Sequence, residues 1–158
     1  MRRPKSVARA WLNKAMASKD SYDKFVYLWF AFNSLYNDYF VGGERRAIKD
    51  MLSSDEYRLS EEKINQILHN ASVSFFKERI IRDGRGNGKD TSEDVAILTG
   101  GYSKREKLKA LAMILYQVRC NLFHGNKLFG RDSDDKVVEN AANVLEDVVR
   151  RMIHPAGR

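Results

Sequence analysis

Apolar residues recur at three- and four-residue spacing along most of this chain, and no stretch alternates with the two-residue period of a strand. Val7, Trp11, Leu12 and Ala15 share one face and predict a short first helix over residues 7–16. Ser21 is placed to cap a longer helix that runs to about Phe40 and stops at Gly42 and Gly43. That helix is dense in aromatics, from Tyr22 and Phe25 through Trp29 and Phe30 to Tyr36 and Tyr39. Residues 44–53 read as a short helix. Ser60, followed by Glu61 and Glu62, marks another helix start, because acids sit well at the positive end of the macrodipole. Ile64, Ile67, Leu68, Ala71 and Phe75 carry that periodicity to about Ile81.

Residues 82–92 break the pattern, with three glycines among polar residues, which predicts an exposed mobile loop, placed with its flanks at about 82–102. No strand precedes these glycines and no Gly-Lys-Ser/Thr follows them, so they do not form a P-loop. Ser103 and Glu106 are spaced as a capping box at the head of a helix running to about His124, where Gly125 suits the left-handed residue that ends it. The last helix starts among Asp132, Asp134 and Asp135 and carries one apolar stripe from Val137 to Met152. The two prolines, Pro4 and Pro155, lie at the ends and leave everything between free to be helical. The expected fold is all-α, an antiparallel four-helix bundle with one or two additional short helices, forming one domain over about 7–154.

The helix ending at His124 is apolar nearly all round. With Val118 at zero on a helical wheel, Leu111, Ile114, Leu115 and Leu122 fall within about 60° of it. Ala112, Tyr116 and Phe123 gather about 120–160° away, so the helix needs cover on a second side. A subunit interface could supply that cover, and so could an aromatic-rich helix of the same chain. Arg119 and His124 interrupt this greasy surface about 140° apart, so one continuous helix does not bring them to one face. They meet only where the helix ends before His124, or where a second copy supplies one partner.

Composition narrows the rest. The chain has 158 residues, 43% hydrophobic and 31% charged, as an ordinary globular domain does. Its formal net charge is +7, which favours an anionic partner such as RNA. Cys120 stands alone, which excludes an internal disulfide and a Cys-rich metal site. His69 and His154 have no acid or cysteine at ligand spacing, and nothing in the sequence calls for a metal or cofactor. The N-terminal stretch has no h-region, and the longest apolar run, residues 25–32, is far too short for a membrane span. A reducing cytoplasm is the expected location, with no membrane partner. Arg82, Arg85 and Lys89 in the glycine-rich loop, and Lys127 and Arg131 after the motif helix, are candidate phosphate contacts or simple solvated charges. Asn33 and Asn37 stand one turn apart on the aromatic helix and are candidates to support the motif helix or to line a wet groove.

Arg119-x4-His124 near the end of a late bundle helix, with its surrounding VRCNLFHG and the earlier FAFNSLY, resembles the HEPN superfamily of bacteria and archaea. The last helix, VVENAANVLEDVV, is similar to that pattern as well. The resemblance implies a two-fold homodimer with two Arg–His pairs in an interfacial cleft. It also implies metal-independent endoribonuclease activity in toxin–antitoxin or defence systems, where an antitoxin protein is a further partner. The chemistry is consistent with that expectation. Attack by a 2′-OH needs proton transfer near neutral pH, for which histidine is suited, and a permanent cation at the developing charge, for which arginine is. Arg119 and His124 are then the catalytic candidates. The residue after the motif arginine, commonly polar in that superfamily, is Cys120 here. Asn121 follows it, and could orient His124, donate to phosphate or simply make a helix-end hydrogen bond.

Overall fold

A computed structural model describes residues 3–125 and 132–154. Among them the chain is all helical, with eight α-helices, one 3-10 turn and no sheet. Four are long: α1 (Pro4–Met16), α2 (Ser21–Tyr36), α7 (Lys104–Phe123) and α8 (Asp132–Ile153). The 3-10 turn Asn37–Tyr39 follows α2. Four short helices fill the middle: α3 (Glu44–Ser53), α4 (Glu61–Leu68), α5 (Ala71–Lys77) and α6 (Ser92–Thr99). The sequence pattern predicts six helices: α1, α2, α3, α7 and α8 each have a counterpart, α4 and α5 are run together as one, and α6 is not foreseen.

Local chemistry sets most of the boundaries. Ser60 accepts from the Lys63 N–H and Ser103 from the Glu106 N–H, so both serine caps form as predicted. Gly125 takes φ 72°, the left-handed geometry that ends α7. At α2 the cap is Asp20, one residue before the predicted Ser21, and its carboxylate accepts from the Tyr22 N–H. The predicted helix over 60–81 is two helices. His69 closes α4, and Asn70 opens α5 by accepting from the Ser72 N–H. The buried face changes across the break: α5 turns Val73 and Phe76 inward and leaves Ala71 exposed.

α1 packs along α2, α2 along α8, and α7 is surrounded by α3, α4, α6 and α8. Trp29, Phe25, Phe32, Phe76, Leu111 and Leu145 lie in one contiguous core. The second apolar side of α7 is thus covered within the chain, with Ala112, Met113 and Cys120 all buried and Phe123 left exposed. Arg105 fixes the start of α7 by donating through both arms of its guanidinium to the carbonyls of Leu52 and Leu59, at 3.0 and 2.7 Å. No helix among the described residues is long and apolar enough to cross a membrane.

Candidate functional site

α7 points Arg119 inward, into a ring of aromatic and polar groups supplied by α2, α3 and α7 itself. Its Nη1 donates to Glu44 Oε1 at 3.1 Å, and the two side chains are only 22% and 18% exposed. The guanidinium carbon lies 4.8 Å from the Phe123 ring centroid, 5.6 Å from Tyr116 and 5.8 Å from Trp29. Glu44 opens α3 after Gly42 and Gly43, with Gly43 at φ 98° turning the chain into the helix. The position favours a carboxylate, because the helix N-terminus carries partial positive charge.

Two tyrosines complete the knot. The Tyr36 hydroxyl donates to Glu44 Oε2, and the Tyr116 hydroxyl donates to Oε1 at 3.3 Å. Burial and the Glu44 carboxylate raise the Tyr36 pKa, while the nearby Asn33 amide and Trp29 indole oppose that shift. Tyr116 is pushed up to about 12 by burial, then by Cys120 and Glu44. Burial works against the Arg119 cation, but Glu44 and then Cys120 outweigh it, so its pKa is raised. Tyr36, Tyr116 and Arg119 therefore keep their protons near neutral pH. Among the described residues, Arg119 Nε and Trp29 Nε1 are buried without a hydrogen-bond partner.

His124 stands elsewhere. It is the exposed C-cap of α7, where its backbone N–H bonds to the Cys120 carbonyl at 3.0 Å. Ending the helix there leaves the imidazole in solvent while Arg119 faces Glu44. Asn121, buried, holds neither. Its Oδ1 accepts from the Gly84 N–H at 2.9 Å and from Gln117 Nε2 at 3.0 Å, and its Nδ2 donates to the Arg82 carbonyl at 2.8 Å. It is the peg on which the glycine-rich loop hangs.

That loop is a built turn. Arg82 and Asp90 form an antiparallel bridge, the Thr91 hydroxyl accepts from the Ile81 N–H, and α6 begins at Ser92 inside the predicted loop region. Buried Asp83 accepts from Arg85 through the backbone N–H, Nε and Nη2, and from Asn87 Nδ2. Of the predicted phosphate contacts here, Arg85 is committed to Asp83, whereas Arg82 and Lys89 are exposed. Lys127 and Arg131 lie outside the described residues. Asn33 and Asn37 line a groove with Val7, Trp11, Phe30 and Ser34, and Asn33 reaches the Arg119 knot through Tyr36.

Asp83 yields a pH prediction. Arg85 holds its carboxyl well below the usual range, so its folded pKa lies below its unfolded value near 4. The turn should then be fully formed above about pH 4 and loosen only as pH falls below it. NMR shifts of the Gly84 and Arg85 amides should stay flat through pH 5, and a titration centred there would contradict the arrangement.

Against known proteins, the family model for methylamine utilization protein MauJ matches residues 8–154. The chain belongs to the MauJ family. This overturns the HEPN resemblance: one family model covers nearly the whole chain and it is that of MauJ, not a HEPN domain. The structure gives a physical reason why the motif misleads. Two fixed residues five apart say nothing of direction, and here Arg119 turns to an acid of α3 while His124 caps the helix in solvent. No curated protein and no solved structure was found to match.

Sequence reasoning missed Glu44, Tyr36 and Tyr116 as a unit. The available signal was chemical rather than periodic. Two tyrosine hydroxyls and an arginine in apolar surroundings all need a partner, and an acid at the first turn of a helix can serve all three.

Proposed function

We propose that this MauJ-family chain is a non-catalytic helical module that binds RNA. The observation that supports this most is the Arg119–Glu44 pair. A guanidinium already neutralised by a carboxylate and ringed by Trp29, Tyr116 and Phe123 is poorly placed to stabilise charge developing on a phosphate. The knot instead fixes α2, α3 and α7 against one another. The net charge of +7, together with exposed Arg82 and Lys89, supports an anionic ligand. The lone buried Cys120 suits a reducing compartment, and we place the chain in the cytoplasm.

The family's name invites methylamine itself as a ligand. An aromatic cage with a carboxylate is the chemistry that holds an alkylammonium ion. Glu44 and its three rings make such a cage, but the Arg119 guanidinium fills it. The geometry favours a role in methylamine utilization other than holding the amine at this position.

A second reading, metal-independent RNA cleavage, is favoured by one observation: exposed His124 lies at the same helix end as Arg119. It requires a two-fold homodimer, with the partner's copy of the helix closing a cleft over each His124, and release of Arg119 from Glu44. One assay separates the readings. Fluorescein-labelled single-stranded RNA is mixed with wild type and His124→Ala in excess EDTA, and both binding and product ends are read. Binding without cleavage, unchanged in the variant, is expected. Cleavage to a 2′,3′-cyclic phosphate that His124→Ala abolishes would establish the second reading instead. Absence of binding would remove the first.

A further inference from the structure

The first nineteen residues contain six cations, Arg2, Arg3, Lys5, Arg9, Lys14 and Lys19, and no acid; the first carboxylate is Asp20. Six positive charges in so short a stretch nearly equal the +7 of the whole chain. Among the described residues, no carboxylate pairs with Arg3, Lys5, Arg9 or Lys14. No acid stands at i+4 to any cation of α1, so its surface charge is of one sign.

The aromatic surface lies beside it. Trp11 stacks on Tyr27 with centroids 5.9 Å apart and planes 19° apart, and meets Phe30 edge-on at 4.9 Å. Lys14 Nζ sits 5.2 Å from the Tyr27 centroid. Val7 and Phe30 remain 38% and 36% exposed. Together with Asn33, Ser34 and Asn37 they line an open groove between α1 and α2. On the α1 wheel Arg3, Val7, Trp11 and Lys14 fall within about 80°, so a cation stands at each end of the same flank. Eleven positions separate those two cations, or about 17 Å along the helix.

We propose that the α1–α2 groove holds a single-stranded RNA segment, with bases against Trp11 and Phe30 and the backbone running between Arg3 and Lys14. The inference rests on the RNA-binding reading and gives it a location away from Arg119. Phe30 and the open edge of partly buried Trp11 can take unstacked bases whatever their sequence, and the cations follow the phosphates. The amides of Asn33 and Asn37 each offer a donor and an acceptor to a base edge. A duplex hides its base faces, and an acidic protein segment has no use for a ring platform; both are therefore poorer occupants. Asp23, one turn before Tyr27 on α2, disfavours extension of the strand past that end.

The test uses a labelled oligouridylate of about 12 nucleotides, within the usual site size, with anisotropy and tryptophan emission read together. Trp29 is 1% exposed, so quenching on binding should come from Trp11, and Trp11→Ala should abolish the quench and weaken binding about tenfold. The exposed double variant Arg3→Gln/Lys14→Gln should weaken binding roughly tenfold at low salt and flatten its salt dependence by about one to two charges. Unchanged affinity and quenching in these variants would overturn the groove while leaving RNA binding intact. No binding by wild type would overturn both readings. Equal Trp11 quenching by polyglutamate or anionic vesicles would replace the RNA strand with a generic polyanion and overturn the proposal.

Discussion

Replacing Glu44 with alanine is expected to cost about 3 kcal/mol of stability. Glu44 is the common acceptor for Arg119, Tyr36 and Tyr116, so one truncation leaves a guanidinium and two hydroxyls without their partner. Removal of one member of a largely buried pair is costlier than removal of both, because the remaining charge stays desolvated. Arg119→Met alone should cost less, because the Glu44 carboxylate keeps the Tyr36 and Tyr116 hydroxyls, and Glu44→Ala/Arg119→Met should recover part of the loss. For a domain of this size, the melting temperature of Glu44→Ala should fall by about 6–12 °C. Glu44→Gln keeps the hydrogen-bonding shape and should fall between. A double variant no more stable than Glu44→Ala would show that the pair is not coupled, and the knot would lose its place as the tie between α2, α3 and α7.

The second large effect is expected at Asn121. Asn121→Ala removes the acceptor of the Gly84 N–H and the donor to the Arg82 carbonyl in one step, for a loss of about 2 kcal/mol. The pattern of damage should be distinctive. Hydrogen exchange over residues 82–90 should accelerate first, while exchange at the core amides of α2 and α8 speeds up only in proportion to the global loss. Asn121→Asp keeps an acceptor for Gly84 but faces the Arg82 carbonyl with a carboxylate, and should be no better than alanine. If the exchange rates of residues 82–90 are untouched by Asn121→Ala, the turn is held by Asp83 and Arg85 alone.

The helical character and the caps were legible because each rests on neighbours in sequence. Ser60, Ser103 and Gly125 need only the next three or four residues to act, and each does what its type predicts. The break at Asn70 was hidden because Ile67, Ala71 and Phe75 are spaced as one continuous helix would space them, although the residues that α5 buries are Val73 and Phe76. α6 was hidden by the glycines before it, although Ser92 followed by Glu93 and Asp94 carried a start signal of its own. The Arg119 knot was illegible for a different reason. Arg119 was visible as an oddity in an apolar helix, but Glu44 lies 75 positions away and looks like any acid after a glycine pair. Resemblance to a short motif then supplied a partner, His124, that the helix geometry itself had set about 140° away.

The same 75-residue separation bears on how the chain is made. Glu44 and Tyr36 leave the ribosome well before Arg119 does. Until the end of α7 emerges, Glu44 has Tyr36 but neither Tyr116 nor Arg119, so α2 and α3 lack two of the three bonds that tie them at this point. The aromatic face of α2 must then wait in solvent, or under a chaperone, for its cation. The interaction that makes the finished fold firm also delays it, and the interval between those two residues is the period in which this protein is most open to aggregation.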